Sequence, residues 1–210
     1  METAHIGGVS ANRTQPGAKR RKRRPDEAME EALTAARQLL LAHGPAAVTL
    51  ANVGREIGMS HTNVIHHFGS AAGLQSALMG SMIRDLTAAL DTAVSQLQGD
   101  AGAIQPVIER VFTAFDEGGA GQLAAWIALS RDFEHLNPVR QAVLDLVAAV
   151  QDKMDAAAAA RIRAVVYLIA ICAFGDAVIG PPLREMLEQP GETGRALVAQ
   201  LVPALVMQPG

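Results

Sequence analysis

The tightest constraint on the fold lies between Thr49 and Phe68. Leu50, Val53 and Ile57 recur at the spacing of one helix face, Gly58 follows, and Ser60 opens a second stripe at Val64 and Phe68. Thr49 and Ser60 are each placed to cap a helix N-terminus, where a hydroxyl accepts from a backbone N–H that lacks an intrahelical partner. Gly58 stands where a helix end needs left-handed backbone. Upstream, Pro25 suits a first helical turn, and Asp26 and Glu27 favour its dipole. Met29, Ala32, Leu33, Ala36, Leu39 and Leu40 then recur at helical spacing until Gly44-Pro45 stops them. Three helices therefore fit within residues 25–68, the last two joined by a short turn containing a glycine. That is the arithmetic of a helix-turn-helix.

The remainder reads as helix as well. Leu74, Leu78, Met82, Leu86, Leu90, Val94 and Leu97 mark one long amphipathic helix, and Ile104 to Phe115 another, closed by Gly118-Gly119. Leu123 to Phe133, Val139 to about Met154, Ala156 to about Ile179 and Gly194 to about Val206 complete the set. Pro181-Pro182 and Pro190-Gly191 are expected to punctuate the last two, and Pro203 to kink or end the final one. Half of the 210 residues are apolar and 19% are charged, which excludes a disordered chain. The expectation is an all-α fold, with an N-terminal three-helix DNA-binding module over residues 25–74 and a C-terminal helical bundle over 75–210. Residues 1–24, Gly-rich and then basic, read as a disordered arm.

Charge divides along the same line. Residues 1–75 carry nine Lys/Arg against six acids, whereas 76–210 carry nine against fifteen. Six of the basic residues form one run: Lys19, Arg20, Arg21, Lys22, Arg23 and Arg24. A basic head on an acidic body points the N-terminal part, and not the rest, at a polyanion.

The segment from Thr49 through Gly58-Met59-Ser60, His67-Phe68 and Ser70 to Leu74 resembles the DNA-binding signature of TetR-family transcriptional regulators, closely over residues 34–80 or so. Beyond residue 80 the likeness is one of architecture. The resemblance implies a homodimer that pairs through C-terminal helices, with a ligand pocket controlling affinity for double-stranded DNA. Independently, the first residues of the second helix of a helix-turn-helix meet base edges in the major groove. Here these are Ser60, His61, Thr62 and Asn63, of which Asn63 suits bidentate reading of adenine and Thr62 a bond or a thymine methyl. A plain solvated helix start suits the same residues. Three positions depart from the family pattern. Ile65 and His66 stand where two tyrosines are usual before the His67-Phe68 pair, and Ala71 replaces a phosphate-binding lysine. His66 remains within reach of a phosphate, Ile65 suits a thymine methyl or an internal contact, and the Lys19–Arg24 arm supplies compensating charge. Thr49 and His67 join the candidate DNA-binding set.

Other chemistries fit less well. The single cysteine, Cys172, excludes a disulfide framework or a cysteine-based zinc site. His61 and His66 lie off the i, i+4 spacing of helical metal ligands, so no metal or cofactor is expected. Gly119-Ala-Gly-Gln-Leu-Ala124 formally matches a dinucleotide fingerprint, but helix and not strand precedes it. Lys153 is the only lysine after residue 24, and no hydrolase, P-loop or zincin motif occurs, so no enzyme is expected. The longest apolar run, Ala164 to Gly175, falls short of a bilayer. With no signal-like N-terminus, this predicts a cytoplasmic chain without a membrane partner.

Six of the seven aromatic residues lie in the bundle: Phe112, Phe115, Trp126, Phe133, Tyr167 and Phe174. They are the candidate lining of a pocket for an unknown small-molecule effector, with core filling as the plainer role. The functional expectation is a ligand-responsive regulator, read as a repressor, that binds a palindromic operator as a dimer. The alternative is a helical ligand-binding or interaction protein that has lost specific DNA recognition.

Overall fold

A computed structural model describes residues 24–96, 104–131, 135–153 and 156–207. Among the described residues there are nine α-helices and no strand: α1 Pro25–His43, α2 Leu50–Glu56, α3 His61–Phe68, α4 Ala71–Gln96, α5 Ile104–Phe115, α6 Ala120–Ser130, α7 Asn137–Gln151, α8 Ala156–Met186 and α9 Thr193–Met207. The all-helical expectation holds.

Local chemistry accounts for most boundaries. Pro25 occupies the first turn of α1, whose N-terminus is closed by the Arg24 backbone N–H donating to Glu27 Oε2 at 3.3 Å. A 3-10 turn, Pro45–Ala47, carries the chain into α2. At the other end of the molecule the prolines do less than their reputation suggests. α8 continues through Pro181 and Pro182 to Met186, and α9 runs past Pro203 to Met207. Both α8 prolines are exposed, and an Arg184–Asp176 ion pair spans them within the helix. Water can therefore reach the carbonyls that lose an N–H partner, and the brace holds the helix direction.

Two apolar cores divide the molecule. The first gathers Leu40 of α1, Val53 of α2, Val64 of α3 and Leu74 and Leu78 of α4 around Leu123 of α6. The second joins Leu90 and Val94 of α4 to Ile108 and Phe112 of α5, Val165 of α8 and Val202 of α9. α4 places buried side chains in both, and its face between Met82 and Leu90 passes from one core to the other. α7 lies along α4, its approach opened by Gly80. A Cβ at Gly80 would meet the Pro138 carbonyl oxygen at 3.0 Å. α8 and α9 pack together on α5, and their outward faces stay apolar, with Tyr167, Ile171, Ile179, Leu197, Leu201 and Leu205 exposed. By length and composition alone, Arg161–Met186 is also apolar enough to cross a membrane.

Candidate nucleic-acid interface

The angle between α2 and α3 is set by small and branched residues at their crossing. Val53 and Val64 are fully buried there. Gly54 is the point of closest approach: a Cβ on it would lie 2.8 Å from the Met59 carbonyl oxygen. The Met59 N–H in turn donates to the Gly54 carbonyl at 2.8 Å, and Gly58 turns the chain at φ +62°. Both predicted caps form. Thr49 Oγ1 accepts from the Asn52 N–H at 3.2 Å and Ser60 Oγ from the Asn63 N–H at 3.3 Å.

This packing leaves one face of α3 in solvent. His61, Thr62, Asn63, Ile65 and His66 are exposed, His67 is half-buried, and Val64 and Phe68 point inward. No Lys, Arg, Asp or Glu stands on α3, so its face offers hydrogen-bonding groups and one apolar side chain without fixed charge. The His66 and His67 rings sit edge to face, 6.0 Å apart. Thr49 is half-buried behind the face with its oxygen engaged in the cap. Arg24 opens α1, whereas Lys19, Arg20, Arg21, Lys22 and Arg23 lie outside the described residues.

Sequence reasoning missed the side chain that fixes α4 to this module. Gln75 is buried and donates from Nε2 to the Val48 carbonyl at 3.2 Å, while Asn52 Nδ2 holds the Ala47 carbonyl at 2.9 Å. The Gln75 bond gives the carbonyl of buried Val48 a donor, and the Asn52 bond joins the Thr49 N–H already on the Ala47 carbonyl at 2.9 Å. A polar residue one position after Leu74 was the only signal available.

A family model for bacterial regulatory proteins of the tetR family matches residues 32–78, which span the greater part of α1, all of α2 and α3 and the start of α4. This module is that of the bacterial tetR-family regulatory proteins. It is accordingly a DNA-binding helix-turn-helix of the kind used in transcription regulation. The fold of the whole chain is similar to a crystal structure, at 1.54 Å resolution, of a protein assigned to the TetR-family transcriptional regulators of Mesorhizobium loti MAFF303099. The TM-score is 0.52 at 15% identity, covering 88% of this chain and 96% of that one. No protein of curated function matches the chain.

The aromatic residues expected around an effector are spread over the described bundle. Phe112 is buried in the second core with the Arg195 guanidinium 5.8 Å above its ring. Trp126 is 40% and Tyr167 70% exposed, Phe174 is half-buried in α8, and Phe133 lies outside the described residues. Phe115 lines a chamber of about 240 Å³ with Met79, Ile83, Ala124, Ile127 and Val139. The chamber adjoins a wider cleft of about 390 Å³ between α4 and α5. Burial spreads the large aromatics among two cores and a surface, while methionine and aliphatic side chains take the cavity wall. Cys172 is half-buried and desolvation pushes its thiol above the usual range, which leaves it a poor nucleophile at neutral pH.

Proposed function

We propose that this regulator is a ligand-responsive repressor that binds a palindromic operator as a homodimer and is released by a small molecule. The observation that carries the reading is the unpartnered apolar face of α8 and α9, from Tyr167 and Ile171 to Leu197 and Leu201. Exposed apolar side chains in such number mark an interface, and a two-fold axis through two such helix pairs makes a four-helix contact. The same axis presents two α3 helices to successive half-sites, which one helix alone is too small to hold with specific affinity.

In this reading Ser60, His61, Thr62 and Asn63 meet base edges, Ile65 meets a thymine methyl, and His66 and His67 approach the backbone. Thr49 and the Lys19–Arg24 arm add phosphate contacts. Residues 1–24 serve as arm, 25–74 as the DNA-binding domain and 75–210 as the ligand and dimer domain of a cytoplasmic protein. A second reading, loss of specific recognition, draws on exposed Ile65 and Ala71 and on an α3 without fixed charge.

Sedimentation velocity at micromolar concentration, joined to anisotropy titration of the promoter fragment upstream of its own coding sequence, tests both. The repressor reading expects a dimer and a marked preference for the fragment over scrambled DNA. A monomer overturns the dimer, and equal binding of both DNAs favours the second reading.

A further inference from the structure

Arg37 is the residue of α1 that lines both the chamber and the adjoining cleft. Its guanidinium bonds Asp85 Oδ2 of α4 at 2.7 Å, so the helix-turn-helix module and the bundle are joined by an ion pair at the lip of the cavity. Both partners are substantially exposed, at 40% and 58%, and an exposed pair of this kind holds weakly. The other acid on the cleft wall, Glu109, is engaged by Arg195 of α9 at 2.8 Å. Arg110 remains, the fourth charged side chain on that wall, and it pairs with no carboxylate among the described residues. The chamber beyond is lined by Met79, Met82, Leu86, Phe115 and aliphatic neighbours. With Glu109 held by Arg195 from outside the wall, the apolar chamber opens through a mouth on which the Arg110 charge has no carboxylate partner.

We infer that the effector is an amphipathic anion, an apolar body bearing a carboxylate. The body fills the chamber, and the carboxylate takes Arg37 from Asp85 with Arg110 as its second donor. The chemistry favours this class over its relatives. A guanidinium receives a carboxylate through paired, charge-assisted hydrogen bonds, whereas an alcohol gains one neutral bond and an ammonium meets Arg110 as a like charge. The exchange also has a consequence for DNA. Arg37 stands on α1, so drawing it from Asp85 loosens the module from α4 at the place where α4 passes between the two cores. The inference rests on the ligand-responsive reading above and adds the ligand's class.

The test is calorimetric titration of the full chain with hexanoate, octanoate and decanoate, each beside its matched alcohol and amine, followed by anisotropy of the promoter fragment with each binder. The best carboxylate is expected to bind at least about tenfold tighter than its alcohol, the advantage of a charge-assisted over a neutral hydrogen bond. Arg110→Gln, on the surface, and Arg37→Met should each erase most of that preference while the alcohol binds as before. Ala124→Phe should weaken carboxylate and alcohol alike by filling the chamber, with circular dichroism confirming the fold. Alcohols or amines that bind as well as carboxylates overturn the anionic class and leave a ligand-responsive regulator standing. Carboxylates that bind in an Arg37- and Arg110-dependent way without changing DNA affinity keep the site and overturn its regulatory role. Absence of binding by all three series overturns the inference.

Discussion

Gly54→Ala should separate the stability of this protein from its ability to read DNA. The added methyl would stand 2.8 Å from the Met59 carbonyl oxygen, inside the 3.0 Å that Cβ atoms essentially never cross. Reaching an ordinary 3.4 Å separation needs 0.6 Å of movement, and the obstacle is backbone, so the α2–α3 turn itself must shift. Overpacking of this sort costs about 1–3 kcal/mol, and alanine's better helix propensity returns about 1 kcal/mol. The net loss of stability is therefore about 0–2 kcal/mol, measured by urea unfolding followed by circular dichroism. The loss on DNA should be larger. Base recognition tolerates about 0.5 Å of misplacement, and one bidentate hydrogen-bond pair is worth about 1–3 kcal/mol. Breaking one such pair in each module of a dimer predicts a fall of at least about 2 kcal/mol, roughly thirtyfold, for the promoter fragment. Binding to scrambled DNA should change little, because phosphate interactions are less directional. Gly44→Ala is the control. Unlike Gly54 it has positive φ, and it meets nothing within 4 Å, so it costs backbone strain of about 1–3 kcal/mol without moving α3. If Gly54→Ala binds the promoter fragment as the parent does, the close approach at Gly54 does not set the position of α3. Equal losses on both DNAs would mean that folding, and not register, had been damaged.

Further outcomes can be checked with the same preparations. Thr49→Ala and Ser60→Ala should each lower stability by about 0.5–2 kcal/mol in urea unfolding, since each removes a formed N-cap. Removing residues 1–24 should flatten the dependence of log affinity on log salt while leaving the preference for the promoter fragment in place; an unchanged slope would show that the Lys19–Arg24 run touches no phosphate. Leu201→Glu, on the exposed face of α9, should give a monomer in sedimentation velocity and a sharp loss of specific DNA binding; a dimer of parental strength would place the interface elsewhere.

The legible part of this molecule is the part written in short-range chemistry. Thr49, Gly58 and Ser60 declare their caps and turn because each acts on backbone within three residues, and α5 begins and ends at Ile104 and Phe115 as its apolar spacing predicts. Features that depend on distant partners do not show. Gly80 carries meaning only once Pro138 is laid against it, and Gln75 only once Val48 is beneath it. The double proline misleads because its effect depends on whether the released carbonyls meet water and on an Asp176–Arg184 brace that sequence spacing does not advertise. Aromatic count misleads in a similar way. Large rings are as useful in a core or an interface as in a pocket, and only packing tells these apart.

The cavity follows from how the two cores are joined. α4 belongs to both, and between them its Asp85 and Ala89 line the cleft while Leu86 both lines it and packs on the second core, so the cavity lies where the two bodies meet. Packed cores transmit displacement poorly by deforming and well by moving as units. A ligand wedged at this junction can therefore reorient the first core, with α2 and α3 fixed to it, against the second, with α8 and α9. It does so only to the extent that it binds one orientation better than the other, typically a coupling of about 1–3 kcal/mol. The coupling is reciprocal, so promoter DNA should weaken binding of the effective carboxylate by the same factor as that carboxylate weakens binding of DNA. Calorimetry with and without the saturating promoter fragment measures one factor and anisotropy the other. Unequal factors would mean that the ligand acts outside the DNA-linked equilibrium, whatever its affinity for the chamber.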